Sequence, residues 1–406
     1  MTASEPLLSV DEALRRVLDA ARPVLPAEDV PIADALDRTL AAPLAALRTQ
    51  PPFAASAMDG YAVRAADAAA GAQLRVVGEA PAGRAFGGSV APGEAVRIFT
   101  GAPLPEGADA ILIQENARAS DGAVTVLEAP SPGRFIRPAG LDFATGDALL
   151  AEGLRLTPRS VALAAAMGHP VVSVRRRPTV AVLATGDELV RPGEAARPDQ
   201  IVASNTYAIA GMVRRAGGTP VDLGIAGDSF QALENAIEAA IAAKADVLVT
   251  LGGASVGDHD LVQSALTRRG MTLGFWRIAM RPGKPLIFGR MQGMAILGLP
   301  GNPVSSIVCG RLFLAPLIRA LQGDPNAGAD VTEPATLGAD VAANDSRQDY
   351  LRATLERGPG GELRATPFGP QDSSMLRVLA QADCLLVRKP HAPPGKAGDP
   401  CRIVRL

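Results

Sequence analysis

Short apolar runs and amphipathic stretches take turns along residues 178–322 of this chain. Thr179-Val180-Ala181-Val182-Leu183-Ala184, Ala245-Asp246-Val247-Leu248-Val249 and Met294-Ala295-Ile296-Leu297-Gly298-Leu299 have the texture of buried strands. Between them, Ser204–Ala216 starts on a capping serine and stops at Gly217-Gly218. Asp228–Lys244 starts on a capping aspartate with Gln231 three residues on, the spacing of a capping box. Strands alternating with helices predict a parallel, doubly wound sheet. Such sheets bind ligands beyond the carboxyl ends of their strands. All three runs end there in unusual loops: Thr185-Gly186-Asp187-Glu188-Leu189, Thr250-Leu251-Gly252-Gly253-Ala254-Ser255-Val256-Gly257-Asp258-His259-Asp260 and Pro300-Gly301-Asn302-Pro303-Val304-Ser305.

The rest of the chain has a different texture. Ser9-Val10-Asp11-Glu12 is a capping box that opens a helix with Leu14, Val17, Leu18 and Ala21 on one face. Residues 51–143 are rich in Gly and Pro and carry short strand-like runs at Leu74–Val77, Ala95–Phe99, Ala110–Gln114 and Val124–Leu127, the pattern of a small β domain. Helical character returns around Ser160–Met167. After a linker, Gly323-Asp324-Pro325-Asn326-Ala327-Gly328, the tail shows β-like runs at Tyr350–Leu355, Cys384–Val387 and Arg402–Leu406. The expected organisation is a discontinuous linker domain (1–50 and 144–177), a β domain inserted in it (51–143), an α/β domain (178–327) and a C-terminal β domain (328–406).

Composition narrows the classes. A chain of 406 residues is too long for one ordinary domain. Its formal charge of −2 leaves no electrostatic footprint for nucleic acid. No stretch reads as long and charge-free enough to span a membrane, and the first residues do not read as a signal peptide. Cys309, Cys384 and Cys401 lack metal-ligand spacing and read as reduced thiols of a cytoplasmic protein. The chain almost always chooses Arg over Lys; its lysines are Lys244, Lys284, Lys389 and Lys396. Keeping Lys284 in Arg281-Pro282-Gly283-Lys284-Pro285 points to a small anion met in a tight space, where a compact point charge fits better than a planar fork.

The loops suggest a chemistry. Gly252, Gly253, Ser255 and Gly257 leave main-chain N–H groups uncovered, as a phosphate cradle needs. Asp258 and Asp260 beside such a cradle imply an intervening divalent cation, Mg²⁺. Glu188 and Asp228 stand at the same edge and join them as candidate acids and metal ligands; Asp228 reads as a helix cap as well. Pro300, Gly301, Asn302 and Ser305 lead into a helix N-terminus, a natural anion site. Arg281 and Lys284 add positive charge beside the cradle. Asp59 in Met58-Asp59-Gly60 and Thr100 in Phe99-Thr100-Gly101 read, taken alone, as turn residues. No Ser-His-Asp or Cys-His constellation is legible.

Ser56-Ala57-Met58-Asp59-Gly60-Tyr61-Ala62, Thr185-Gly186-Asp187-Glu188-Leu189, Gly252-Gly253-Ala254-Ser255-Val256-Gly257-Asp258, Arg281-Pro282-Gly283-Lys284-Pro285 and Pro300-Gly301-Asn302-Pro303-Val304-Ser305, in this order, resemble the molybdopterin molybdenumtransferases, the MoeA and gephyrin E-domain family. The resemblance implies a multidomain fold: a linker domain, an inserted β domain, a doubly wound α/β molybdopterin-binding domain and a C-terminal β-barrel. It implies Mg²⁺-assisted reaction of adenylylated molybdopterin with molybdate, giving molybdenum cofactor and AMP. It further implies an elongated homodimer in which Asp59 of the inserted domain reaches the partner protomer's site. Catalytic roles fall on Asp59, Thr100, Glu188, Asp228 and Asp260. Arg281, Lys284, Arg352 and Ser373 stand where relatives bind molybdate, Arg281 replacing a Lys of several relatives. Leu141 stands beside Asp142 where many relatives have a second acid. The upstream adenylyltransferase and molybdoenzyme apoproteins are implied partners. Two other readings share the α/β unit: a molybdopterin adenylyltransferase, and a non-catalytic cofactor carrier or scaffold.

Overall fold

The computed structural model describes residues 7–253, 261–358 and 360–406. Ser255, Gly257, Asp258 and Asp260 lie outside the described residues. The chain forms two compact units: Met1–Glu28 with Asp37–Ala41 and Val174–Leu406, and Asp29–Leu36 with Ala42–Ser173.

Helix α1 (Val10–Asp19) opens the first unit. Ser9 caps it by accepting the Glu12 N–H, and Glu12 is held by Arg15 and Arg16. Val10, Ala13 and Val17 are its buried face and, with Ala21 just beyond its end, join the core of the α/β sheet.

The second unit holds a six-stranded mixed sheet of β1 (Gly60–Val63), β2 (Gln73–Ala80), β3 (Glu94–Ile98), β4 (Ala110–Ile113), β5 (Ala117–Ser120) and β6 (Ala123–Val126), in the order β4-β1-β3-β2-β6-β5. Only β2 and β3 pair in parallel. Gly60 has no room for a side chain, because a Cβ there would overlap the Leu112 carbonyl of β4. Helix α2 (Pro158–Ala166) starts on a full capping box, Thr157 with Ser160.

In the first unit, β7 (Thr179–Thr185), α3 (Asn205–Arg215), β8 (Thr219–Ala226), α4 (Phe230–Ala242), β9 (Val247–Leu251), α5 (Leu261–Arg268), β10 (Thr272–Arg277), β11 (Met280–Arg281), β12 (Pro285–Met291) and β13 (Met294–Leu299) follow in sequence. The sheet order is β8-β7-β9-β13-β12-β10. The first four strands are parallel, as expected, but β12 runs antiparallel to both its neighbours, β13 and β10, so the sheet is mixed. A tight turn at Gln292-Gly293 lets β13 follow β12 directly, with no crossover helix and therefore no parallel pairing.

Two helix starts differ from the expected ones. Helix α4 is capped by Ser229, whose hydroxyl accepts the Ala232 N–H at 3.2 Å; Asp228 lies one residue outside. Ser204 precedes α3 but makes no side-chain capping bond, its backbone being already helical. Leu233, Ile237 and Ala240 then bury one face of α4, the two larger side chains contributing about 1.5–3 kcal/mol each.

Helices α6 (Pro303–Cys309) and α7 (Ala315–Leu321) are joined through a π-helical turn at Gly310–Leu314. Pro316 lacks the N–H that a regular α-ladder would use, which accounts for the wider turn. Contrary to expectation, Pro303–Leu321 has the length and hydropathy of a membrane span, with a mean hydropathy of 1.6. It is mostly buried: Val304, Val308, Phe313, Leu314, Leu317 and Ile318 pack into the core.

The tail closes into a barrel. Its strands are β14 (Thr332–Leu337), β15 (Gln348–Arg357), β16 (Leu363–Pro367), β17 (Cys384–Arg388) and β18 (Pro400–Arg405). They pair in the ring β15-β16-β14-β18-β17 and back to β15. The short β11 adds to the barrel in parallel with β15, and Tyr350, Leu385 and Val404 share the core of the α/β sheet.

Candidate active site

The parallel register sets the site. Ala184 pairs with Leu251 and Leu251 with Leu299, while Thr185 pairs with Ala226, so the carboxyl ends of four strands finish at one edge. The loops that leave them surround a cleft of about 660 Å³. Gly186, Glu188, Asp228, Gly252, Gly253, Pro300, Gly301 and Asn302 line it. The structure therefore brings together most of the described residues expected from the three loops.

Each loop has a local cause. Gly252 takes φ +102°, and a Cβ there would stand 2.8 Å from the Thr185 carbonyl oxygen. Gly253 takes φ +64° and would overlap Val262. Both need glycine, and the bare backbone they leave faces the cleft. Gly252 N–H donates to Leu299 O at 3.1 Å and Gly186 N–H to Ala226 O at 3.1 Å, which stitches neighbouring loops together. Gly186 takes φ +138°, and the Glu188 carboxylate folds over the space where a side chain would be. Asp187 accepts the Asp228 N–H at 3.1 Å. Three exposed or half-exposed acids, Asp187, Glu188 and Asp228, thus gather at one rim.

The third loop is tied to the barrel. Asn302 does not cap α6; its amide donates to Ser373 Oγ at 2.8 Å, and Val304 N–H donates to Ser373 O at 3.0 Å. Ser374, the next residue, lines the cleft. Ser305 is buried in the first turn of α6 and is not part of the lining.

The expected cations divide. Arg281 is paired with the buried Asp349 through two guanidinium nitrogens, one at 2.9 Å, and reaches Asp345 at 3.4 Å. Its charge is neutralised in place. Lys284 is exposed and makes no ion pair among the described residues; the next residue, Pro285, lines the cleft. Arg352 is 1% exposed. Its guanidinium donates to the Asp372 carbonyl at 3.0 Å and burial lowers its pKa, so it braces the loop that carries Ser373 rather than presenting an open charge.

In the other unit, Asp59 Oδ1 accepts both the N–H and the hydroxyl of Thr100, each at 2.8 Å. These two bonds, backbone first, hold the Asp59 carboxyl below its ordinary value. Asp142 is exposed beside the exposed Leu141.

Sequence reasoning missed Asn205 and Asp187 as parts of this edge. Asn205 donates to Gly301 O at 2.7 Å and lines the cleft. The signal was a polar Ser204-Asn205 pair at the start of a helix.

Family models match nearly the whole chain: the MoeA N-terminal region (domains I and II) over residues 8–168, a probable molybdopterin-binding domain over 181–320, and the MoeA C-terminal region (domain IV) over 334–406. The molybdopterin molybdenumtransferase of Haemophilus influenzae is 33% identical across 98% of both chains. Molybdopterin molybdenumtransferase 2 of Mycobacterium tuberculosis is 37% identical over 93% of this chain and 94% of its own length. A solved molybdopterin biosynthesis MoeA protein from Pyrococcus horikoshii superposes with a TM-score of 0.83 at 27% identity, covering 99% of this chain and all of that one.

Proposed function

The chain belongs to the MoeA family of molybdopterin molybdenumtransferases, and from that premise we propose that it transfers molybdenum from molybdate to adenylylated molybdopterin, releasing AMP. The observation that carries this reading is the shared register of β8, β7, β9 and β13. It sets the acids Glu188 and Asp228 opposite the bare backbone of Gly252-Gly253 at the rim of one cleft.

In this reading the main-chain N–H groups of Gly253, Gly301 and Asn302 hold the phosphates of the substrate, while Gly252, its own N–H already given to Leu299 O, leaves room for their close approach, and Pro300, with no N–H, shapes the turn. Asn205 and Ser373 fix the 301–302 turn from either side. Lys284 attracts the molybdate dianion, and Arg281, neutralised by Asp349, holds the turn that carries Lys284. The phosphoanhydride bond breaks and AMP leaves, while the two dithiolene sulfurs replace two molybdate oxygens; one of these oxygens ends on a phosphate and the other leaves as water. The residues contribute positioning and charge compensation, with no protein nucleophile.

The donor set suits Mg²⁺. Glu188 and Asp228 offer hard carboxylate oxygens, and no complete cluster of three ligands stands among the described residues. A cation that takes one or two carboxylates and fills its shell with phosphate oxygens and water fits such a rim. Glu188 and Asp228, with Asp258 and Asp260, would hold it; bound there it neutralises charge on the phosphoanhydride.

The reading extends to a four-part organisation with the boundaries given above. It includes a cytoplasmic homodimer in which Asp59 and Thr100 of the inserted domain complete the partner protomer's cleft. The upstream adenylyltransferase and apo-molybdoenzymes are the proposed protein partners. The test is Asp228→Asn and Glu188→Gln. Each should lower AMP release by roughly 100-fold, the scale of losing a positioned electrostatic group. Full release by both variants would favour a carrier or scaffold role.

A further inference from the structure

Asp59 and Thr100 come from different strand ends, and one guanidinium holds both ends. Asp59 immediately precedes β1, and Thr100 lies two residues beyond β3. In the antiparallel pairing of β1 with β3, Tyr61 stands directly opposite Arg97. Phe99 is two residues further along and points to the same face. The Arg97 guanidinium carbon lies 5.1 Å from the Tyr61 ring centre and 5.0 Å from that of Phe99. Its nitrogens donate to Gly60 O at 3.2 Å and to Gln114 Oε1 at 3.0 Å. Gln114 in turn donates its N–H to Asp59 O at 3.1 Å.

We propose that Arg97 is a positioning residue for the Asp59–Thr100 pair, locking the two turns that supply it from the ring faces of Tyr61 and Phe99 and from the Gly60 carbonyl. The argument rests on the reading of Asp59 as part of the transferase site. The chain has few aromatic residues, 3% in all, yet two flank this one arginine. A planar guanidinium can stack on both rings while its edge donates two directed hydrogen bonds; an ammonium cannot do both. Asp59 Oδ1 is bound twice by Thr100. A shift of either turn would therefore break that contact and re-aim the carboxylate. The positive charge of Arg97 also helps to keep Asp59 ionised.

The test uses the full chain and four variants: Arg97→Met, Arg97→Lys, Asp59→Asn and the Arg97→Met/Asp59→Asn double. Molybdate-dependent AMP release and the hydrogen exchange of the Thr100 amide are measured together. Arg97→Met should lower kcat at least ~10-fold with little change in KM, the effect of misplacing a group without removing it. Because Arg97 acts through Asp59, the double variant should be no slower than Asp59→Asn alone. Arg97→Lys should restore the melting temperature but not kcat, since charge and stem return without the fork. In both Arg97 variants the Thr100 amide should exchange faster. A loss that adds in full on the Asp59→Asn background, or an unchanged Thr100 exchange rate, overturns the proposal. If Asp59→Asn keeps full turnover, the role of Asp59 fails instead, and Thr100 exchange still decides whether Arg97 positions the pair.

Discussion

Arg281 of the α/β domain grips Asp349 of the barrel with two guanidinium nitrogens. Asp349 is 4% exposed, whereas about half of the Arg281 side chain is open to solvent, at 47%. The pair anchors the turn that ends on Lys284. Ile278 N–H donates to Lys284 O at 3.1 Å, and Cys309 packs under Gly283, where a Cβ would stand 2.5 Å from its sulfur. Removing the carboxylate should free the turn. Asp349→Ala is expected to cost about 1–2 kcal/mol in urea unfolding, less than a fully buried pair because water reaches Arg281. Molybdate should bind more weakly to this variant, as read by calorimetric titration.

Gly252→Ala tests the bare-backbone reading of the second loop. The new Cβ meets the Thr185 carbonyl, and φ +102° is foreign to alanine. The expected cost is about 1–3 kcal/mol in unfolding free energy. Affinity for adenylylated molybdopterin should fall. Unchanged affinity would remove Gly252 from the phosphate cradle.

Asp345 gives a pH-dependent signature. Hydrogen bonds from the Arg347 side chain and backbone, aided by the charge of Arg281, lower its pKa from 3.8 to about 2. A carboxyl with a depressed folded pKa stabilises the fold fully above its unfolded value and loses that contribution as pH falls through the folded one. Asp345→Asn should therefore melt below wild type above about pH 4, with the gap closing as the pH approaches 2. A gap that stays constant over that window would show that the pairing carries no linkage.

The thiols should be inert in the folded chain. Burial, the largest cause, pushes Cys384 up to about 12 and Cys401 up to about 11, and raises the fully buried Cys309 as well. Almost no thiolate exists at pH 8. Mass spectrometry after iodoacetamide treatment should find little alkylation in the native protein and three modified cysteines in guanidinium.

The site was legible where chemistry follows from main-chain geometry. Three apolar runs announced β7, β9 and β13, and the loops after them fell at one edge because parallel strands must end together. The reversed direction of β12 was hidden, since an apolar run carries no sign of its polarity. Strand β1 was masked by the turn-like Met58-Asp59-Gly60 that precedes it, and β14 by Pro334 in its middle. Asp228 and Ser229 are both good caps, and only the backbone distinguishes them. The roles of Arg281 and Arg352 depended on partners that no local pattern reveals: Asp349 lies 68 residues from Arg281, and the Asp372 carbonyl lies 20 residues from Arg352.

The central claim is that the cleft at the ends of β7, β8, β9 and β13 exchanges AMP for molybdenum. The most direct measurement is AMP release from adenylylated molybdopterin in the presence of Mg²⁺, with and without molybdate. Release that depends on molybdate and is matched by molybdenum retained on the pterin is the expected result. Tight binding of the adenylylated pterin with no molybdate-dependent release would contradict the account.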